Sequence, residues 1–187
     1  MSGYRTVIFD CDSTLSALEG IEELAADHRD EVAALTDAAM RGVVPLEEVY
    51  GRRLALIRPG RADVEALVPR YIEALVEDAF DTVRALTAAG VEVRVISGGL
   101  LPAVLGLARH LGLPDRAVAA VDLRFDDRGA FAGHDTDAPA ARAGGKAAII
   151  RAWRAGPDPL PAPVAQVGDG ATDLEAPDDV DLFVAIA

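Results

Sequence analysis

The sequence predicts an α/β fold: a Rossmann-like parallel sheet with helices between the strands and a small helical insertion after the first strand. Three observations carry this. Short apolar runs recur at residues 6–9, 91–96, 164–167 and 182–186 of the 187-residue chain. Stretches of helical periodicity separate them, which is the signature of strand–helix–strand units. Between about residues 19 and 72 the apolar positions keep helical spacing, and no strand-like run interrupts them.

In chain order, the first run opens "VIFDCDSTLS": strand formers lead into Asp10 and Asp12, followed by two hydroxyls. The insertion comes next, with breaks expected near Arg41 and Gly42, before Pro45, and at Pro59 and Gly60. Residues 77–89 read as a helix ended by Gly90, a residue suited to closing a helix. The second run ends in "SGG", and a further helix is expected from about Leu100. "VDLRFDDRGAFAGHD" reads as a hairpin turning at "DDRG". Residues 146–155 form a helix with Ile149, Ile150 and Trp153 on one face, and the Pro-rich "GPDPLPAP" connects it to the next strand.

Composition narrows the class. Hydrophobic residues make up 51% of the chain, which favours a packed globule over disorder. No apolar run approaches the roughly 20 residues that span a bilayer. The N-terminus lacks the series of features that marks a secretory signal, and the single cysteine excludes an internal disulfide, so a cytoplasmic location is expected. The net charge is −13, from 18 basic and 31 acidic residues, with no basic cluster. Nucleic acid and anionic membranes are therefore not expected partners. An anionic substrate needs local positive groups or a metal to hold it against that field.

The polar residues at the strand ends carry the chemistry. In open α/β sheets, ligands bind outside the carboxyl ends of the strands. Asp10, Asp12, Ser97 and Asp169 are thus expected to converge at one edge. Each alone is weak, since an aspartate after a strand is commonly a turn or cap residue; the convergence is the argument. Adjacent like charges raise each other's pKa, an arrangement that makes sense around a cation. Carboxylates from "DCD" and "GDGATD" suit a hard ion such as Mg²⁺. Ser97 with the backbone N–H groups of Gly98 and Gly99 suits a phosphate, and Lys146 supplies local positive charge.

Other readings fail on spacing. "DCDSTL" has Leu15 where a calcium loop needs glycine, "AGGKAA" lacks the outer residues of a P-loop, and "GDGATD" lacks the third glycine of a dinucleotide fingerprint. No Cys/His set supports zinc. His28, His110 and His134 read as surface residues, Cys11 as a small spacer and Trp153 as core.

The DxDST box, "SGG", "GGK" and "GDGATD", in this order, resemble the haloacid dehalogenase superfamily of phosphotransferases. Within it, "FDCDSTLSALEGIEELA", "AAMRGVVP", "RRLALI" and "GDGATDLEA" resemble the phosphoserine phosphatase family over nearly the whole chain. The resemblance implies a catalytic core from residues 1–14 and 76–187, with residues 15–75 as a helical cap. It implies Mg²⁺-dependent hydrolysis of O-phospho-L-serine, the last step of L-serine synthesis. Asp10 is the implied nucleophile and Asp12 the acid and base. Asp10, the carbonyl of Asp12 and Asp169 would hold Mg²⁺, with Asp173 in support. Ser97, Gly98, Gly99 and Lys146 would bind the phosphoryl oxygens. Glu19 would meet the substrate ammonium and Arg53 its carboxylate, with Met40 and Thr172 also against the substrate.

There are departures. Arg41 stands where the family has glycine, and "EDAFDT" replaces a Pro-Gly pair before the core helix. Family chains carry a further helical segment after the last strand, so an uncovered sheet edge and a homodimer are expectations. Two alternatives use the same residues: transfer of the phosphoryl group to an acceptor alcohol such as homoserine, and hydrolysis of another small phosphomonoester.

Overall fold

The computed structural model describes residues 3–25, 28–41, 43–176 and 178–186. β1 (Thr6–Phe9) is buried along its length. Side chains alternate across a strand, so Val7 and Phe9 pack into one hydrophobic cluster and Ile8 into another. A strand buried on both faces reads as an unbroken apolar run, which is why this one was visible in the sequence.

Among the described residues five α-helices follow: α1 (Gly20–Leu24), α2 (Arg29–Met40), α3 (Leu46–Ile57), α4 (Arg61–Glu65) and α5 (Leu67–Glu73). The expected breaks fall between them. Pro45 precedes α3, Arg58 closes it in a left-handed conformation (φ 47°), and Gly60 precedes α4. Gly42 lies outside the described residues.

The chain then forms α6 (Ala79–Ala88), β2 (Glu92–Leu100), α7 (Leu101–His110) and β3 (Val118–Val121). A two-stranded antiparallel hairpin, β4 (Leu123–Phe125) and β5 (Phe131–His134), comes next. α8 (Gly145–Ala155), β6 (Val164–Gly168) and β7 (Leu182–Ala185) complete the order. The main sheet is parallel, in the order β3-β2-β1-β6-β7. The chain thus builds one side outward from β1 and then returns to the other, which places a crevice beside the carboxyl end of β1.

Two elements differ from expectation. β3 was not foreseen, because "VAAV" is alanine-rich; pairing of Val118 with Val95 and Ala119 with Ile96 makes it a strand. β2 also runs on through Ser97, Gly98 and Gly99, with a shift of register between Ile96 and Leu100. The "SGG" segment is therefore the irregular end of a strand, while helix α7 begins at Leu101, where it was expected.

The hairpin leans on the helical segment. The Arg61 guanidinium lies 4.8 Å from the Phe125 ring centre, Arg58 lies 5.8 Å from that of Phe131, and the His134 and Tyr50 rings meet at a tilt of 54° with centres 5.6 Å apart. β7 is an edge strand that exposes Leu182 and Val184. Trp153 is only half buried, with the Arg94 guanidinium 5.1 Å from its ring centre. His28 lies half-exposed at the surface, beside Glu31.

Where the Pro-Gly pair is missing, Asp78 precedes α6 in a left-handed conformation (φ 64°) and makes no side-chain cap bond. That conformation is strained for a residue with a β-carbon. Asp78→Gly is expected to stabilise the fold by about 0.5–1 kcal/mol, read as a rise of a few degrees in Tm.

Candidate active site

Asp10 follows β1 directly, and its backbone N–H donates to Val167 O at 2.9 Å, which locks it between β1 and β6. Its Oδ1 accepts the Cys11 N–H at 2.6 Å. Its Oδ2 takes the Lys146 ammonium at 2.6 Å. Lys146 comes from the first turn of α8 and also reaches Asp173 Oδ1 at 2.7 Å. Burial pushes the Asp10 carboxyl up to about 7, against the opposing pull of Lys146. Desolvation works to lower Lys146, but the Asp10 and Asp173 carboxylates outweigh it and leave its pKa raised.

Asp173 is fixed from three sides. Besides Lys146, Gln166 Nε2 donates to its Oδ1 at 3.0 Å and the Gly170 N–H to its Oδ2 at 3.2 Å. Gly168 makes room for it, since a β-carbon there would fall 2.3 Å from the Asp173 carboxyl carbon. Asp169 is exposed, and its Oδ1 accepts from Thr14 Oγ1 at 3.2 Å. Carboxylate oxygens of Asp10, Asp169 and Asp173 lie within 4.8 Å of one another. An all-oxygen set of this kind fits a hard divalent cation.

Asp12 turns its carboxylate away from that cluster. Its Oδ2 accepts the Gly20 N–H at 3.1 Å, and the Tyr71 hydroxyl sits 3.0 Å from both oxygens. Burial raises its pKa. Ser97 is fully buried, and its Oγ accepts the Gly99 N–H at 2.9 Å.

A cavity of about 230 Å³ joins these groups. Asp10, Asp12, Ser97, Gly98, Gly99, Lys146, Asp169 and Thr172 line it on the sheet side, and Glu19 and Arg53 line it from the helical segment. Of the residues expected at the site, Asp173 stands behind the wall, bonded to Lys146. Met40 closes α2, and its side chain lies outside the described residues. Glu19 Oε1 accepts from Ser13 Oγ at 2.6 Å. The wall carries four carboxylates (Asp10, Asp12, Glu19, Asp169) against three cations (Arg53, Arg142, Lys146), and Lys146 is already committed to two acids. A phosphate dianion added here needs a further positive charge, which the carboxylate cluster is placed to hold.

The profile of the haloacid dehalogenase-like hydrolases matches residues 4–180. The chloroplastic phosphoserine phosphatase of Arabidopsis thaliana is 39% identical over 187 residues, and the alignment covers 98% of this chain and 63% of that protein. The phosphoserine phosphatase of Bos taurus is 37% identical over 180 residues, 95% of this chain and 79% of that one. The chain belongs to the phosphoserine phosphatase family of these hydrolases. A solved structure titled as a phospho-aspartyl intermediate analogue of phosphoserine phosphatase superposes with a TM-score of 0.80, at 28% identity over 98% of this chain and 87% of that one. The likeness extends over the parallel core and the helical segment alike, since it covers nearly the whole chain.

Three residues at the site had no signal in the sequence. Tyr50, Tyr71 and Arg142 look like core aromatics and a surface cation. Yet Tyr50 and Arg142 line the cavity, and Tyr71 holds Asp12. Tyr50 Oη and Arg53 Nε are also buried without a hydrogen-bond partner among the described residues. Buried donors left unpaired are costly, and a ligand with acceptor oxygens would relieve both.

Proposed function

We propose that this chain hydrolyses O-phospho-L-serine to L-serine and phosphate, with Mg²⁺, through an aspartyl-phosphate on Asp10. The observation that carries this is the pairing of two kinds of group across one cavity. Asp10, Asp12 and Lys146 line its floor, while Glu19 and Arg53 face in from the helical segment. A phosphate needs the first set. A zwitterionic amino acid needs one acid and one guanidinium, the latter matching a carboxylate with two parallel hydrogen bonds. The names of the relatives agree with this reading.

In the first step an Asp10 carboxylate oxygen forms a bond to phosphorus as the bond from phosphorus to the serine oxygen breaks. Asp12 gives its proton to that oxygen. In the second, water loses a proton to Asp12 and attacks phosphorus, and the bond to Asp10 breaks. Ser97, the N–H groups of Gly98 and Gly99, and Lys146 stabilise the charge on the phosphoryl oxygens. Mg²⁺ held by Asp10, the carbonyl of Asp12 and Asp169, with Asp173 in support, would neutralise phosphoryl charge. Thr172 and Met40 would border the substrate. Residues 15–75 would act as a cap over the core (1–14 and 76–187), excluding water until the second step. The reaction would close L-serine synthesis, in the cytoplasm. No described helix is long and apolar enough to cross a membrane.

The test compares O-phospho-L-serine with a phosphomonoester that lacks the amino-acid end, for the native chain and Arg53→Ala. The variant should raise KM for phosphoserine about 100-fold, the loss of a charge-assisted pair, and leave the plain ester nearly unaffected. Homoserine added as an acceptor should leave the phosphate yield unchanged. Equal losses on both substrates would contradict the amino-acid subsite, and phosphohomoserine formed in place of phosphate would make the chain a transferase.

A further inference from the structure

Asp12 has two oxygens and two different surroundings. Its Oδ1 faces the "SGG" segment, since a β-carbon added to Gly99 would fall 2.9 Å from it. Its Oδ2 accepts the Gly20 N–H at 3.1 Å. The Tyr71 hydroxyl bridges the pair at 3.0 Å from each. The two donors therefore fix the carboxylate with Oδ1 on the side of the segment expected to hold the phosphoryl group.

The anchor is built in. The Tyr71 side chain is fully buried. Ser16 Oγ donates to the Tyr71 carbonyl at 3.0 Å. Either side of this bond, the Ala17 N–H donates to Ala74 O at 2.8 Å and the Val76 N–H to Leu15 O at 3.0 Å. The hydroxyl also has a space reserved for it: a β-carbon at position 20 would sit 2.2 Å from Tyr71 Oη, so only glycine there admits the phenol. Gly20 thus serves Asp12 twice, by donating its N–H and by leaving room for the second donor. Both anchors come from the two ends of the helical segment, α1 and α5.

We propose that Tyr71 is a positioning residue for Asp12, holding its carboxyl so that Oδ1 meets the reacting oxygen in both proton transfers. A carboxyl free to rotate about its last bond would spend part of its time with neither oxygen in line; the phenol removes that freedom without competing for the proton, because a phenol keeps its own at neutral pH. The inference rests on the reading of Asp12 as the acid and base.

Tyr71→Phe tests it, because the ring and its packing stay and only the hydroxyl goes. Turnover of O-phospho-L-serine should fall about 10- to 100-fold, the range for losing a hydrogen bond to a charged group, with KM changed less than about twofold. Placed in an Asp12→Asn background and followed in single turnovers, the same change should cost nothing further. With p-nitrophenyl phosphate, whose leaving group departs without a proton, the first turnover should keep its speed. Unchanged turnover in Tyr71→Phe, or an equal loss in the Asp12→Asn background, overturns the proposal. An Asp12→Asn enzyme as fast as the native one would remove the acid–base reading and this inference with it. Should Tyr71→Phe fail to fold, the same change in the Asp78→Gly chain, whose fold is expected to be more stable, carries the same expectations.

Discussion

Asp10→Asn is expected to abolish phosphate release from O-phospho-L-serine, by a factor of about 10⁴ or more, while the fold survives. The amide keeps the shape of the carboxylate, but its single oxygen can accept from only one of the Cys11 N–H and Lys146, and its NH2 faces the other donor. It cannot act as a nucleophile. Stability should change little, because the lost acceptor is offset by neutralising one of two buried acids that share Lys146. Thermal melting alongside the assay separates the two effects. A variant that keeps even a tenth of the native rate would mean that Asp10 does not carry the reaction.

Lys146→Met should be the most damaging change to stability at the site. The Lys146, Asp10 and Asp173 side chains are 6%, 11% and 1% exposed. Removing the shared cation leaves two acids facing each other with little water to screen them. Breaking a buried pair in this way costs roughly 3–5 kcal/mol, about 10 °C in Tm for a chain of this size. Activity should fall at least about 100-fold as well, since the lost ammonium lines the cavity proposed to hold the phosphoryl group. Melting in a chelator and again in excess Mg²⁺ distinguishes the two roles: the ion should restore part of the Tm, by supplying the missing counter-charge, and little of the rate. A Tm within a degree or two of native would show that the triad contributes nothing to the fold.

The strand ends were legible because their signals are local. An apolar run followed by Asp10 and Asp12, or by Asp169, is a few residues long and reads the same before and after folding. β1, β6 and the hairpin at 123–134 appeared where their residues placed them. β3 was not legible, since Ala119 and Ala120 at its centre disfavour a strand and a lone valine at each end is too weak a signal; pairing with β2 makes it one. The glycines after Ser97 suggested a helix N-terminus; the sheet instead continues through them, because β3 offers Leu100 a partner in Val121. The least legible part of the site is the one built from long-range contacts. Tyr71 reaches Asp12 across 59 residues, and Lys146 reaches Asp10 across 136. A tyrosine inside a helix pattern looks like any core aromatic until its hydroxyl is seen against a carboxylate. Tyr50 is the same case, visible only through an unpartnered hydroxyl beside Arg53.

The most direct test of the account is to catch the intermediate. The native chain is mixed with O-phospho-L-serine and Mg²⁺, quenched in acid within the first turnovers, and digested for peptide mass analysis. One phosphoryl group is expected on the peptide that carries Asp10, appearing before free phosphate and decaying as phosphate accumulates. Phosphate release with Asp10 unmodified throughout, or a phosphoryl group on any other residue, would contradict this mechanism.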